Sequence, residues 1–501
     1  MRLHLKTFFE RASNSPRAVL RLLRAYRKRI IAGIFVVAQI LGALTSVEAI
    51  MENRTPQGAV AWVVALNAIP IVALPAYWIF GHSDFEGYVI ARKDTVAAVD
   101  PVLERILTTL KSSGDLRTDT DDPFLHELES LAGFPFTSGN DARLLIDGQE
   151  TFDAIFQAID SATEYILVQY YILRPDKIGN ALKDRLIRKA RDGVKVYVLY
   201  DSLGSMGLTD EYLNELDRGG VHTRPFSSTS DLRRFQINFR NHRKIVVVDG
   251  RIGFTGGLNF GMDYLGHNPE LSPWRDTHIQ IKGPSVQFLQ IPFAEDWYWA
   301  SQELLADLDW TPAPSPDGGD LEILSIPTGP ADKLDTCALT FLAAINHARK
   351  RIWIASPYFV PDVPIIYALQ LAALRGVDVR ILLPKTPDSL LVFYSSFAYL
   401  PDVDLEGISV FRYTDGFLHQ KVVLIDDDFS TVGTANFDNR SFRLNFEVTL
   451  AVRDRNFASQ VEKMLLADFD RSELAPATDM TEASFFFRLK ARASRLLAPI
   501  Q

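Results

Sequence analysis

Cysteine is nearly absent. Cys337 is the only one in 501 residues, which excludes an internal disulfide and a thiolate-rich metal site. It stands in "TCALTFLAAI" (336–345), an apolar helical pattern that argues core packing rather than a nucleophile. One such thiol suits a cytosolic compartment or leaves the redox setting indifferent. Surplus positive charge is lacking as well. The formal net charge is −9, and residues 1–29 hold nine Lys/Arg against one Glu, so the other 472 residues carry −17. A nucleic-acid groove needs a basic surface, and most of this chain cannot supply one.

Charge is missing altogether from two stretches, 30–47 and 55–80. A bilayer core needs roughly 20 apolar residues per helix, so both qualify as spans, at about 30–47 and 57–79. A cleaved signal peptide is the alternative for the first. The basic region before it is long for that purpose, and a second apolar run follows within a few residues. The pair reads as a transmembrane hairpin. Pro70 and Pro75 are tolerated in membrane helices packed on a neighbour, and Trp62, Tyr77 and Trp78 lie where aromatic belts form. The basic 1–29 segment places the N-terminus in the cytoplasm. Two crossings then return everything after about residue 82 to that side.

What is present in plenty is repetition. "NHRKIVVVDGRIGFTGGLNF" (241–260) and "HQKVVLIDDDFSTVGTANFD" (419–438) align His242, Lys244 and Asp249 with His419, Lys421 and Asp426. The same register aligns Gly256 and Asn259 with Gly433 and Asn436. The β-branched run "IVVV" suits a strand covered on both faces. Alternation puts His242 and Lys244 on one face at its mouth. The flanks repeat too: "SATEYILVQYYI" (161–172) matches "NHARKRIWIASPYFV" (346–360), and "ARDGVKVYVLYD" (190–201) matches "ALRGVDVRILLP" (373–384). Strand-like runs alternate with helical periods, which predicts an α/β fold with a parallel or mixed sheet. The organisation expected is a basic segment 1–29, the hairpin within 30–80, a connector 81–140, a first unit 141–310, and a Pro/Gly-rich linker 311–320. A second unit 321–475 and a basic amphipathic segment 476–501 follow. That last segment reads as an interfacial membrane helix or as a helix docked on the domain, and the two spans nearby tilt the reading slightly to the membrane.

Two His/Lys/Asn sets suggest one shared site with pseudo-twofold symmetry. Histidine is suited to act as nucleophile or general acid near neutral pH. Lysine and asparagine supply donors for phosphate oxygens. Together they make a phosphoryl-transfer centre that works without metal. A metal site is the alternative, and a lysine two residues from each histidine would repel the cation.

The doubled H-x-K-x4-D followed by Gly-x-x-Asn resembles the phospholipase D superfamily. "NFRNHRKIVVVDG", "FTGGLNFGMDYL", "WRDTHIQIKGP", "SPYFVPD" and "RSFRLNFEV" resemble, more closely, bacterial cardiolipin synthases, which also carry an N-terminal membrane hairpin. The resemblance implies two duplicated α/β/α units and a bacterial inner-membrane location with the catalytic region facing the cytoplasm. It implies phospholipid substrates, with no cofactor, metal or nucleic acid. The implied reaction moves a phosphatidyl group from one phosphatidylglycerol to another through a covalent phosphohistidine, with phosphatidylethanolamine as an alternative donor. By the same resemblance, His242 is the nucleophile, His419 the acid, and Lys244, Lys421, Asn259 and Asn436 bind the non-bridging oxygens. Asp249 and Asp426 belong to the catalytic motif with a turn-fixing role, and Asp276 and Glu447 orient the imidazoles. Gly257 and Thr434 stand where the family usually has serine, a departure expected to have at most a modest effect on chemistry. The rival readings are a hydrolytic phospholipase D, a nuclease of the superfamily, and a catalytically silent membrane scaffold.

Overall fold

Four apolar residues in a row, Ile245–Val248, are all buried, as are their counterparts Val422–Ile425. Each run forms an inner strand of one mixed sheet, because β-branched side chains fill both faces of a covered strand. The computed structural model describes residues 16–52, 55–81, 86–116, 122–227, 238–305, 307–476 and 478–501. The chain divides into an N-terminal helical unit and an α/β unit.

In the helical unit, one helix runs from Pro16 to Glu52. The basic residues after Pro16 therefore continue straight into the first apolar run, as good helix formers such as Arg, Leu and Lys allow. Its Arg29–Glu52 stretch is the one helix among the described residues long and apolar enough to cross a membrane, about 36 Å at 1.5 Å per residue. The second apolar run departs from the single 57–79 helix expected. It forms two helices, Pro56–Ala68 and Pro70–Phe80, joined at Ile69 with φ −137° and ψ 57°. The cause is Pro70, whose ring drives the preceding residue out of the α region. Within the unit, Gly42 lies so close to the second helix that a Cβ there would stand 2.3 Å from the Leu66 carbonyl oxygen. Asn67 Nδ2 donates to Ser46 Oγ at 2.8 Å.

The α/β unit is built twice. The first set of strands is β1 (Thr137–Ile146), β2 (Tyr165–Tyr170), β3 (Lys195–Asp201), β4 (His222–Phe226), β5 (Ile245–Val248), β6 (Ile252–Gly256) and β7 (Thr277–Lys282). The second set is β8 (Leu321–Thr328), β9 (Arg351–Ala355), β10 (Asp378–Pro384), β11 (Ile408–Tyr413), β12 (Val422–Ile425), β13 (Phe429–Gly433) and β14 (Asn445–Arg453). Along one continuous sheet the order is β11-β10-β9-β12-β13-β14-β8-β1-β7-β6-β5-β2-β3-β4. It reads alike outward from the central β8–β1 pair. In each set the first outer trio is parallel and the remaining pairs are antiparallel. Strand β1 starts before the 141 boundary expected, and β8 starts at Leu321, directly after the linker.

One hydrophobic cluster joins one face of the sheet to the helices Ser285–Ser301 and Arg455–Phe469, with Phe293, Trp297 and Leu465 buried. Two more fill the other face, under Asp147–Ser161 and Lys177–Arg191 in the first copy and under Thr336–His347 and Val363–Leu374 in the second. The layers are helix, sheet, helix.

Candidate active site

Each H-x-K sits where a short strand of one copy runs beside the other copy. Arg240–Asn241 pairs in parallel with Asn445–Phe446, and Phe417–Leu418 with Trp274–Arg275. The ladder continues into the histidines: His242 N donates to the Phe446 carbonyl at 2.9 Å, and His419 N to that of Arg275 at 2.8 Å. One residue further on the partner segments stand Glu447 and Asp276. Register alone therefore delivers each carboxylate to the histidine of the opposite copy.

His242 Nδ1 lies 2.9 Å from Glu447 Oε2, and His419 Nδ1 lies 2.8 Å from Asp276 Oδ2. A carboxylate at Nδ1 holds the proton there and puts the lone pair on Nε2, the atom suited to attack or proton transfer. Burial pushes both imidazoles down to about 4, with Lys421 adding to the effect at His419 and Glu447 opposing it at His242. Burial works to raise the Asp276 and Glu447 carboxyls, yet His419 and His242 pull them below the usual range. Both histidines are therefore neutral near pH 7, each held by an anion.

The lysines complete the ring. Lys244 Nζ donates to the His242 carbonyl at 2.7 Å and Lys421 Nζ to that of His419 at 2.6 Å. Lys421 Nζ also stands 3.0 and 3.2 Å from the two ring nitrogens of His419. Burial lowers Lys244 to about 7 and Lys421 to about 8, each opposed by carboxylates. Lys421 acts electrostatically on His242 and Lys244 across the copies, so both motifs share one field. Buried cations without a carboxylate in direct contact are costly, and an anionic phosphate diester between them would relieve that cost. Asn259 is buried, with its amide held between Tyr264 Oη at 3.1 Å and the Ile172 N–H at 3.2 Å. Asn436 is also buried.

Asp249 and Asp426 are not in this cluster. Each ends the strand that begins after its lysine, about 16 Å on at roughly 3.3 Å per residue. Each lies at positive φ, 52° and 49°. The Asp249 carboxylate accepts from the N–H groups of Thr163, Glu164 and Tyr165 at 2.7–2.8 Å. Asp426 does the same for Arg349, Lys350 and Arg351. They tie the start of β2 and β9 to the turn after β5 and β12.

Behind the histidines lies a support that the sequence did not disclose. Arg243 Nη1 pairs with buried Asp296 at 2.8 Å, which also accepts from Gln169 and Asn241 at 2.7 Å. The second copy matches it with Asp468, which accepts two bonds from Arg275, at 2.8 and 2.9 Å, and one from Gln420 at 2.6 Å. A clue exists in "FAEDWYWA", where an acid sits among core aromatics. Thr434 and Gly257 also have a place: Thr434 Oγ1 donates to Glu447 Oε2 at 2.6 Å, while a Cβ on Gly257 would stand 1.9 Å from Asp276 Oδ1. Each lies beside the carboxylate of its own copy.

A family model described as "Cardiolipin synthase, PLD-like domain" matches residues 155–292 and 341–469. Cardiolipin synthase A of Pseudomonas putida is 46% identical over 471 residues, covering 92% of this chain and 96% of that protein. Cardiolipin synthase A of Pseudomonas aeruginosa (strain LESB58) is 44% identical over 472 residues, with 92% and 94% covered. In fold, the chain is similar to the crystal structure of phosphatidylserine synthase from Haemophilus influenzae Rd KW20, with a TM-score of 0.58 and 15% identity over 76% of this chain and all of that one.

Proposed function

The chain belongs to the cardiolipin synthase family of phospholipase-D-like proteins, and on that premise we propose that it joins two phosphatidylglycerols into cardiolipin and glycerol. The observation that supports this most is the crosswise pairing of each histidine with the other copy's carboxylate, beside two buried lysines. His242 Nε2 attacks phosphorus and the P–O bond to the glycerol headgroup breaks. The glycerol oxygen takes its proton from His419. The terminal hydroxyl of a second phosphatidylglycerol then gives its proton to His419 and attacks the phosphohistidine, releasing His242. Lys244, Lys421, Asn259 and Asn436 hold the non-bridging oxygens, whose negative charge raises the pKa of the imidazoles enough for His419 to carry a proton. A covalent intermediate conserves the phosphodiester's energy, so no nucleotide is needed.

Purified protein in mixed micelles with labelled phosphatidylglycerol should yield cardiolipin by mass, unchanged in excess chelator. His242→Ala and His419→Ala should each lose turnover by a factor on the order of 10⁴ or more while remaining folded. Phosphatidic acid as the sole product would make the protein a hydrolase. Turnover lost in chelator and restored by one divalent ion would return the metal reading.

The two-span hairpin and a cytoplasmic catalytic unit belong to the same proposal. Their support is the Lys/Arg excess before the first apolar run. A reporter active only outside the cytoplasm should be silent after Gln501 and active near Asn53. Activity at both points would indicate a single crossing or a cleaved signal.

A further inference from the structure

The two copies differ on their outer surface at one matched position, the helix that follows the second strand of each set. In the first copy the exposed residues of Lys177–Arg191 are Lys177, Asp184, Arg188 and Arg191, every one charged. In the second copy those of Val363–Leu374 are Val363, Pro364, Tyr367, Leu371 and Leu374, every one apolar. Spacings of four, four and three place Val363, Tyr367, Leu371 and Leu374 along one face, and Leu374 is 70% exposed. A duplicated fold gives both helices the same job toward the sheet, so packing does not explain the contrast.

A polar bridge joins this helix to the C-terminal one. Gln370 of this helix donates to the Asp402 carbonyl at 2.6 Å, and the Asp402 carboxylate holds Arg495 of the helix Phe485–Arg495. That C-terminal helix is already seated by one face. Ala491 is buried, and Phe487 packs on Tyr394 and Phe397. Its other face still shows Phe485, Phe486 and Leu489, at 65%, 73% and 52% exposure. At 100° per residue Arg488 and Arg492 border this face on one side and Lys490 on the other. Residues 484–501 hold four Lys/Arg and no acid, in a chain whose net charge is −9. The docked reading of the segment thus holds for one face, and the other face is exposed.

We propose that the helices Val363–Leu374 and Phe485–Arg495 form a membrane-docking surface of the second copy, seated on an anionic lipid bilayer. Aromatic and aliphatic side chains enter the headgroup–acyl boundary, and Arg488, Lys490 and Arg492 meet lipid phosphates. A second copy of this acidic chain would also attract the rim, so the choice of lipid rests on the chain itself: its Arg29–Glu52 helix is long and apolar enough to cross a membrane, and the basic rim then selects an anionic bilayer. The duplicated unit would then sit asymmetrically, one copy against the lipid and the other turned to water. This goes beyond the reaction assigned above and does not depend on it.

The test uses the full chain with Cys337→Ser, reconstituted in vesicles containing phosphatidylglycerol and brominated-chain lipid. An environment-sensitive dye is placed at Leu371→Cys, Phe486→Cys or Arg188→Cys. The expected result is severalfold quenching at 371 and 486 and none at 188, with the effect at 486 at least halved in vesicles of phosphatidylcholine alone. Equal signals at all three positions would overturn the proposal. So would shielding of 371 and 486 in detergent that grows with protein concentration, since a second copy would then be the occupant. Quenching unaltered in phosphatidylcholine would remove the anionic lipid from the assignment. Quenching reads position rather than turnover, so it decides the question even if the reaction is another one.

Discussion

Asp276 and Glu447 do the same work with different lengths, and the residue facing each is adjusted to match. Gly257 leaves Asp276 its place, whereas Thr434 fills that space and bonds Glu447. Gly257→Ala would drive a methyl into the carboxylate that holds His419. It should lower turnover by about 10–100-fold, on the order of one lost catalytic hydrogen bond, and lower the melting temperature by a few degrees, as overpacking a buried site does. Thr434→Ser, which keeps the hydroxyl, should retain most activity. The buried titrating groups set the pH behaviour. Lys244 near 7 and Lys421 near 8 lose their charge as pH rises, so kcat/KM should fall from about pH 7 upward. In kcat the limb should move to higher pH, because bound phosphate favours the ammonium. For stability the sign comes from the histidines. Their folded values near 4 lie below the unfolded 6.5, so the unfolded chain binds more protons and stability falls as pH drops from 6.5 toward 4. His242→Gln with His419→Gln should reduce that slope in thermal unfolding, leaving the part due to His278, pushed down to about 3 by burial, and to His347, also lowered by burial. The motif residues were legible because each set lies within twenty residues of chain. Asp296 and Asp468 were not, since only the folded helices bring them beneath Arg243 and Arg275.

Elements were read well where one periodicity held and less well where proline intervened. The inner strands β5 and β12 follow directly from their β-branched runs, and β8 begins where the Pro/Gly-rich linker ends. The uncharged stretch 55–80 passed as a single span by composition. Ile69 breaks it because Pro70 acts on the backbone, which a count of apolar residues does not register. The helix pair in this unit depends on small residues for close approach, as membrane helices do. Gly42→Leu would thrust a side chain at the Leu66 carbonyl and Pro70. It should lower the melting midpoint of the helical unit in micelles by several degrees, whereas Gly33→Leu, with open space around it, should leave it unchanged.

At the scale of the molecule, the duplication was legible but the way its halves close on each other was not. Pairing of β1 with β8 makes one sheet of two copies, and the parallel pairings at Arg240 and Phe417 exchange their carboxylates. Glu447→Gln should therefore impair His242, 205 residues away in the chain, lowering turnover by roughly 10²–10⁴ as for other histidines deprived of their anion. Trapped phosphohistidine, mapped by peptide mass, should fall in parallel at His242. The exchange also bears on descent. After most gene duplications one copy is released from selection and drifts. Here each copy holds the other's histidine, so under the reaction proposed above a lesion in either would silence both. The two halves can diverge on their outer surfaces, as their matched helices have, while at the crossing point they are inherited as one.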